Sequence, residues 1–436
     1  VKQIKRLEST DKVYLGLLLA VFGGIVLHAP ISVAFSVLLP DYSLLIKSWK
    51  EILMLAAALI GLYVLYKRKQ LSLLKSPLIL MLFAYTALHF ILIPYKNNGL
   101  NSTLAGLMID LRFLFYFGLM YVAMKLYPDY RKTFIKVGLI GALAVLVFAL
   151  LQVTILPNDI LKYLGYSKDT IAPFLTIDQN NAFIRINSTL RGPNPLGAYA
   201  GTVLILMVAY LVKRKLSKEK KEQVIAALLV VGGIAALWFS YSRSAWLGTL
   251  VGIITVLAIA NIKKVSISRW VNIGVGLVIL LAGLVMLLNT PFVSNVILHE
   301  NPTEGNNINS NEGHLQSLTN SSKEVLKQPL GTGVGGTGSA SLLGSKSQIV
   351  ENQYLFVAHE SGWLGLVLFM TIFITVMIGL WNLRSEWFSL GVFAAGLNLA
   401  IIGLFLPVFA DDTISIIWWG LAAIALYSQA QEKVYR

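Results

Sequence analysis

Long uncharged apolar runs recur along the whole chain, and they constrain its fold more than any other feature. Twelve are bounded by charge, proline or polar clusters: 13–39 (bent near Pro30), 52–66, 77–93, 104–126, 134–156, 196–212, 224–241, 245–260, 271–288, 354–381, 387–410 and 414–427. A helix needs about 20 apolar residues to cross a bilayer, and 436 residues leave room for twelve such crossings. Only 13% of residues are charged, against about 25% in soluble domains, which excludes a water-soluble enzyme. The expected fold is all-α, a polytopic transmembrane helical bundle of 12 spans in a single integral membrane domain, 1–436. The first run outlasts a signal peptide's apolar region and has no small-residue cleavage site, so it is expected to be retained.

Twelve crossings return both termini to one side, and that side holds 24 of the 36 Lys and Arg. The other side holds 11, and Arg112 lies inside a span, so both termini are expected in the cytoplasm. Two long connections then face outward, 157–195 and 289–353. The second, between spans nine and ten, carries an expected helix over 311–327, striped by Leu315, Leu318, Val325 and Leu326. Long outward loops are where substrate-handling residues collect. The basic run 213–221 reads as a solvated, topology-setting loop or a contact for anionic lipid.

A net charge of +15 points to anionic lipid heads or an anionic substrate ahead of nucleic acid. Without cysteine the chain has neither disulfides nor thiolate chemistry. Its five histidines (His28, His89, His299, His314, His359) show no H-x-x-x-H or H-E-x-x-H spacing, so neither metal nor cofactor is expected.

Several residues break the apolar pattern. Asp110 and Arg112 sit two apart within a span, where an ionisable group costs a few kcal/mol unless paired or hydrated. They point about 200° apart on a helix, so they need not pair with each other and can engage neighbouring spans, as glue between helices or as part of a site. The segment running from Arg185 to Arg191-Gly192-Pro193-Asn194-Pro195 enters the sixth span through a turn attributed to Gly192 and the prolines. There Arg191 meets a helix start whose free amides also favour anions, suiting a phosphate or pyrophosphate head, or it snorkels to lipid phosphate. Arg243, in the tight Ser242-Arg243-Ser244 turn, has almost no loop on which to reach water and is expected to hold an anion.

The glycine run 329–338 formally contains G-x-G-x-x-G, but neither a strand before it nor a helix opening directly after it is apparent in the sequence. It is expected to be a flexible substrate-lining loop, or a set of amides that approach an anion closely. Glu351, at the entry to the tenth span, is a candidate general base on a sugar hydroxyl or a plain interfacial carboxylate. His359 and Glu360, two turns deeper, are polar contacts within the bundle. Glu312 and His314 head the loop helix on the substrate side, Glu312 being explained by dipole complementarity alone. His28 and His89 show no partner pattern and read as packed histidines.

Taken in order along twelve spans, these features resemble the O-antigen ligase and O-antigen polymerase family of bacterial envelope proteins. The matching residues are Asp110 and Arg112, Arg191-Gly192-Pro193-Asn194-Pro195, Ser242-Arg243-Ser244, the glycine run, and Asn352, Tyr354, Glu360 and Gly362. The resemblance implies a metal-independent, inverting membrane glycosyltransferase of lipopolysaccharide or polysaccharide biosynthesis. It would take a glycan from undecaprenyl pyrophosphate and join it to the hydroxyl of a glycan or glycolipid acceptor. The active site would face the periplasm or cell exterior, in the bacterial cytoplasmic (inner) membrane.

Carried onto this sequence, Arg191 and Arg243 would clamp the pyrophosphate, with Arg112 contributing from deeper in. Asn194, Asn352, Tyr354 and Asp110 would support the site, and Glu351 or His314 would take the acceptor proton. The ligase branch has a His, then Asn, Ser or Gln, then nine residues and a Gly. Here Asn352 and Gly362 keep that spacing, but Glu351 stands at the His, and His314 stands where many relatives have Arg. A transporter or flippase of lipid-linked or anionic solutes is the competing class, since twelve spans and buried charges suit it equally.

Overall fold

The computed structural model describes residues 7–177, 180–214, 219–261, 310–344 and 347–427, with backbone alone at 261 and 310–315. In hydrocarbon every backbone polar group must be satisfied within the protein, and helices do this segment by segment. The described residues accordingly form mostly helices: α1 (Ser9–Gly24), α2 (His28–Leu38), α3 (Trp49–Lys67), α4 (Pro77–Leu92), α5 (Leu100–Leu126) and α6 (Arg131–Thr154). After a hairpin of β1 (Leu175–Ile177) and β2 (Asn180–Arg185) come α7 (Pro193–Lys213), α8 (Lys220–Phe239), α9 (Arg243–Asn261) and α10 (Ser310–Lys327). The last three are α11 (Gln353–Asn382), α12 (Trp387–Ile402) and α13 (Asp412–Leu426).

Among the described residues, 8 helices are long and apolar enough to cross a membrane by length and composition, counting α1 and α2 as one. The shorter α4, α12 and α13 are also apolar. These helices carry every sequence-read run except 271–288, which lies outside the described residues. The multi-pass, largely helical reading is therefore borne out, and α10 begins within a residue of its expected start.

Three details differ from the sequence reading. The first span breaks at a 3-10 turn, Ile25–Leu27, rather than at Pro30; Pro30 falls in the first turn of α2, where a missing N–H costs nothing. The run 387–410 is α-helical only to Ile402, after which 403–411 returns as an irregular segment through Pro407 with one 3-10 turn, Val408–Ala410. The connection 157–195 contains an antiparallel hairpin that pairs Leu175 with Arg185 and Thr176 with Ile184.

One core runs through the bundle. Phe113 of α5, Phe369 and Phe373 of α11, Phe409 of the return segment, and Trp418 and Trp419 of α13 stack edge and face on one another. Helices α7, α9 and α12 approach through small residues, as membrane helices do. A Cβ on Gly201 would stand 2.1 Å from the Thr249 hydroxyl, and one on Gly248 2.3 Å from Asn398. The 157–195 connection, the glycine run and the return segment gather at one end of this bundle.

Candidate functional site

Two groups of cations meet at that end, and they are built differently. The first is an ionic network between α2, α3, α5 and α13. The Lys50 ammonium lies 3.2 Å from Asp412 and 3.4 Å from Glu51, and the Arg112 guanidinium 3.8 Å from Glu51 and 3.9 Å from Asp412. His28 completes it: Nδ1 accepts the Trp49 indole N–H at 2.9 Å, and Nε2 lies 3.0 Å from Asp412. Two cations and two carboxylates balance within a buried space, which is the condition for burying charge at all. Arg112 also donates to the Ala410 carbonyl at 2.6 Å, fixing the return segment.

The second group lies across the N-terminus of α7. Arg185 ends β2 and donates through Nε to the Ser240 carbonyl at 2.8 Å and through Nη2 to Asn194 Oδ1 at 2.6 Å. Arg243 opens α9 close enough that the two guanidinium charges repel. Arg191 is exposed, and its charge, like that of Arg112, acts on Asp411. Asp411 caps α13 by accepting the Ile414 N–H at 3.0 Å. Burial and the adjacent Asp412 push its pKa up to about 6 against the pull of that hydrogen bond, Arg191 and Arg112.

The turn that presents Arg191 is made differently from the sequence reading. Gly192 is fully extended; the left-handed residue is Ser188 (φ 51°), pinned to α6 by the Gln152 side chain and the Val145 carbonyl. Free amides contribute little, because Pro193 and Pro195 have no N–H and the Leu196 amide bonds to Gly192. Attraction for an anion here comes from guanidinium groups.

The glycine run forms a third structure, and its flexible, substrate-lining reading is corrected. Its amides do meet a carboxyl group, but the chain's own: Gly335 N–H donates to Glu360 Oε2 at 2.5 Å and Thr337 N–H to Oε1 at 2.7 Å. The run is largely buried and stitched to α5 by Asn98 and Ser102. Gly335 has φ 78° and no room for a Cβ, which would stand 2.2 Å from the Ser102 carbonyl. On α11, Gly362 interrupts the helix (φ 70°) so that Trp363 N–H can donate to the Pro329 carbonyl at 2.9 Å. The Gly that ends the family spacing thus lets the helix receive the loop.

Asp110 belongs to this centre and not to the arginines: it lies 3.5 Å from His89 and against the Glu360 carboxyl. Asp110 and Arg112 engage different neighbours, as their angular separation requires. His89 and His28 both have ionic partners, which the packed-histidine reading missed. Asn352 caps α11, accepting from the Tyr354 and Leu355 amides and donating to the Leu404 carbonyl at 2.9 Å. Tyr354 ties α11 to α12 through the Ala400 carbonyl. Glu351 stands half-buried just before this cap. Glu312 and His314 lie on α10 where the backbone alone is described.

The sequence reading passed over Lys50, Glu51, Arg185, Asp411 and Asp412. A signal existed for the last two: adjacent acids between apolar runs are rare in such a chain.

The comparison with known families finds that residues 225–370, about a third of the chain, match the O-antigen ligase family. The matched stretch includes Arg243, the glycine run, Glu351, Asn352, Glu360 and Gly362, while Arg112, Arg185, Arg191 and Asp411 fall outside it. The comparison with curated proteins returns no match.

Proposed function

From the match of residues 225–370 to the O-antigen ligase family and from helices long and apolar enough to cross a membrane, we propose that this chain is a multi-pass membrane glycosyltransferase. It moves a glycan from undecaprenyl pyrophosphate to an acceptor hydroxyl, on the outer face of the bacterial cytoplasmic membrane. The observation that carries this reading is a pair of neighbouring cations, Arg185 and Arg243, together with Arg191 acting on the Asp411 carboxylate. Displacement at an anomeric carbon needs two things there: positive charge where the leaving pyrophosphate gains negative charge, and a base for the attacking hydroxyl.

Arg191 and Arg243 hold the departing pyrophosphate. Arg112, whose charge is matched by Glu51 and Asp412, acts from behind by fixing the return segment. Asp411 is the carboxylate set next to an arginine of the site, and a pKa of about 6 leaves it ionised yet basic near neutrality. It joins Glu351 and His314 as a candidate base. Twelve spans with both termini cytoplasmic put this end of the bundle outside, in line with the basic-residue bias. Grooves between helices admit the prenyl chain.

The test is a size profile of carrier-linked glycans in cells with and without the protein. Accumulated single repeat units in its absence mean a polymerase, and long chains retained on the carrier mean a ligase. Material trapped on the cytoplasmic face means a flippase and defeats the proposal.

A further inference from the structure

A cavity of about 560 Å³ lies between α6, α7 and α8, toward the end of the bundle away from the arginines. Along α7 it runs from Tyr210 to Tyr199, about 16 Å at the rise of a helix. Its mouth, at Tyr210, is about 25 Å along that helix from Pro193, where the arginine group sits. Packed interiors hold few voids larger than a water molecule, so a space of this size, within the range of ligand pockets, implies an occupant.

The cavity exists because α8 draws its neighbours together at one level. Gly232 and Gly233 are adjacent and face different helices: a Cβ on Gly232 would stand 2.7 Å from the Leu146 carbonyl of α6, and one on Gly233 2.8 Å from Leu204 of α7. There the three helices close on one another. Elsewhere α6 and α7 pack on α8 and scarcely on each other, and toward the start of α8 the small Gly138, Ala142 and Ala226 leave the space between them open. Tyr210 and Trp387, edge to face at 5.0 Å, wall the mouth.

The two ends of the cavity differ in chemistry. Among its lining residues, charge is confined to Glu219, Lys221 and Glu222 at the mouth. Farther in, the Thr202 hydroxyl is already bonded to the Ala198 carbonyl at 2.9 Å, and the walls are mostly aliphatic and aromatic. Apolar cavities of this kind stay dry and take apolar ligands. The depth along α7 is that of one leaflet, half of a hydrocarbon core roughly 30 Å thick. On the turns around the mouth stand the exposed Lys132, Lys136, Lys213, Arg214, Lys220 and Lys221, against Glu219 and Glu222, while Arg131 is matched by Glu386 at 2.6 Å. Cations in excess at the mouth of a leaflet-deep apolar shaft complement an amphiphile with an anionic head.

We propose that this cavity binds one anionic phospholipid, with an acyl chain lodged between α6, α7 and α8 and the phosphate at Lys220 and Lys221. The lipid completes the wall that α6 and α7 do not make by themselves. None of the arginines of the candidate site lines the cavity, so the proposal goes beyond the transfer reaction and does not rest on it.

The experiment purifies the full chain in mild detergent, adds phosphatidylglycerol or phosphatidylcholine with the same acyl chains, and counts bound lipid by native mass spectrometry, with melting temperature measured alongside. The wild type should retain one phosphatidylglycerol, preferred at least about tenfold over phosphatidylcholine, and melt higher with it. Ala226→Phe, which fills the cavity, should lose that lipid and melt no lower than lipid-free wild type. Lys220→Gln combined with Lys221→Gln keeps the cavity and should cut the preference at least about fivefold. No retained lipid, equal retention of the two lipids, or unchanged retention in Ala226→Phe overturns the proposal. If Ala226→Phe does not fold, an unchanged preference in the double lysine variant does the same. Displacement of the bound lipid by undecaprenyl phosphate at equal concentration assigns the cavity to the donor's tail and also overturns it, whereas retention of phosphatidylglycerol supports it. Arg243→Ala should keep the lipid like wild type, so this site and the transferase reading stand or fall separately.

Discussion

Arg112 and Arg185 are the same residue type at the same end of one bundle, and their surroundings make them opposites. Arg112 shares a buried space with Lys50, Glu51 and Asp412, so its charge is cancelled and its hydrogen bonds hold the return segment. Arg185 has neutral acceptors and a like-charged neighbour. A guanidinium matched by carboxylates is spent on holding the fold together, whereas one held by neutral acceptors keeps its charge. The difference lies in the carboxylates, which come from α3 and α13, far away in sequence.

The largest effect should come from unbalancing the balanced network. Asp412→Ala leaves Lys50, Arg112 and His28 facing one another and should cost about 3–5 kcal/mol. The readout is a much lower melting temperature and yield of folded protein; a normal melting curve would dissolve the distinction between the two regions. At the other group, Arg243→Ala should lower transfer about 10²- to 10³-fold, the usual loss when a stabilising donor is removed, with a melting temperature close to wild type. A loss of folding instead would move Arg243 into the structural class.

A glycine-run variant tests the third centre. Gly335→Ala puts a Cβ into the Ser102 carbonyl at a left-handed position and should cost about 1–3 kcal/mol, seen as thermal destabilisation and proteolysis between 328 and 350. A milder and more specific change is expected at Asp411. Because its pKa is raised to about 6, it is protonated below that pH and ionised above. Transfer should therefore rise with pH through about 6, and Asp411→Asn should flatten that limb and lower the plateau. An unaltered profile would return the base to Glu351 or His314. The smallest effect belongs to Lys162, whose pair with Asp159 is exposed on the hairpin connection. Lys162→Ala should leave melting and transfer unchanged, since exposed ion pairs contribute little.

The helices were legible because hydropathy reads burial in lipid directly, residue by residue. The glycine run, Arg191 and Arg243 were visible as departures from that pattern. What could not be read was partnership. Asp110 and Arg112 stand two apart in sequence, yet one faces His89 and Glu360 and the other Glu51 and Asp412. Nothing in the spacing says that Glu360 will take the glycine-run amides. Ser188, the residue that turns the chain toward Arg191, carries no glycine or proline signature at all. Hydrophobic period records which side of a helix is apolar; it does not record which helix stands opposite.

The proposed reaction breaks a bond to a lipid-linked pyrophosphate at this end of the bundle. The most direct measurement is transfer by purified protein in liposomes loaded with undecaprenyl pyrophosphate-linked oligosaccharide and a hydroxyl acceptor. The account predicts glycan on the acceptor and free undecaprenyl pyrophosphate in equal amount, both lost in Arg243→Ala. Donor that crosses the bilayer with its pyrophosphate linkage intact, and no glycan on the acceptor, would contradict it.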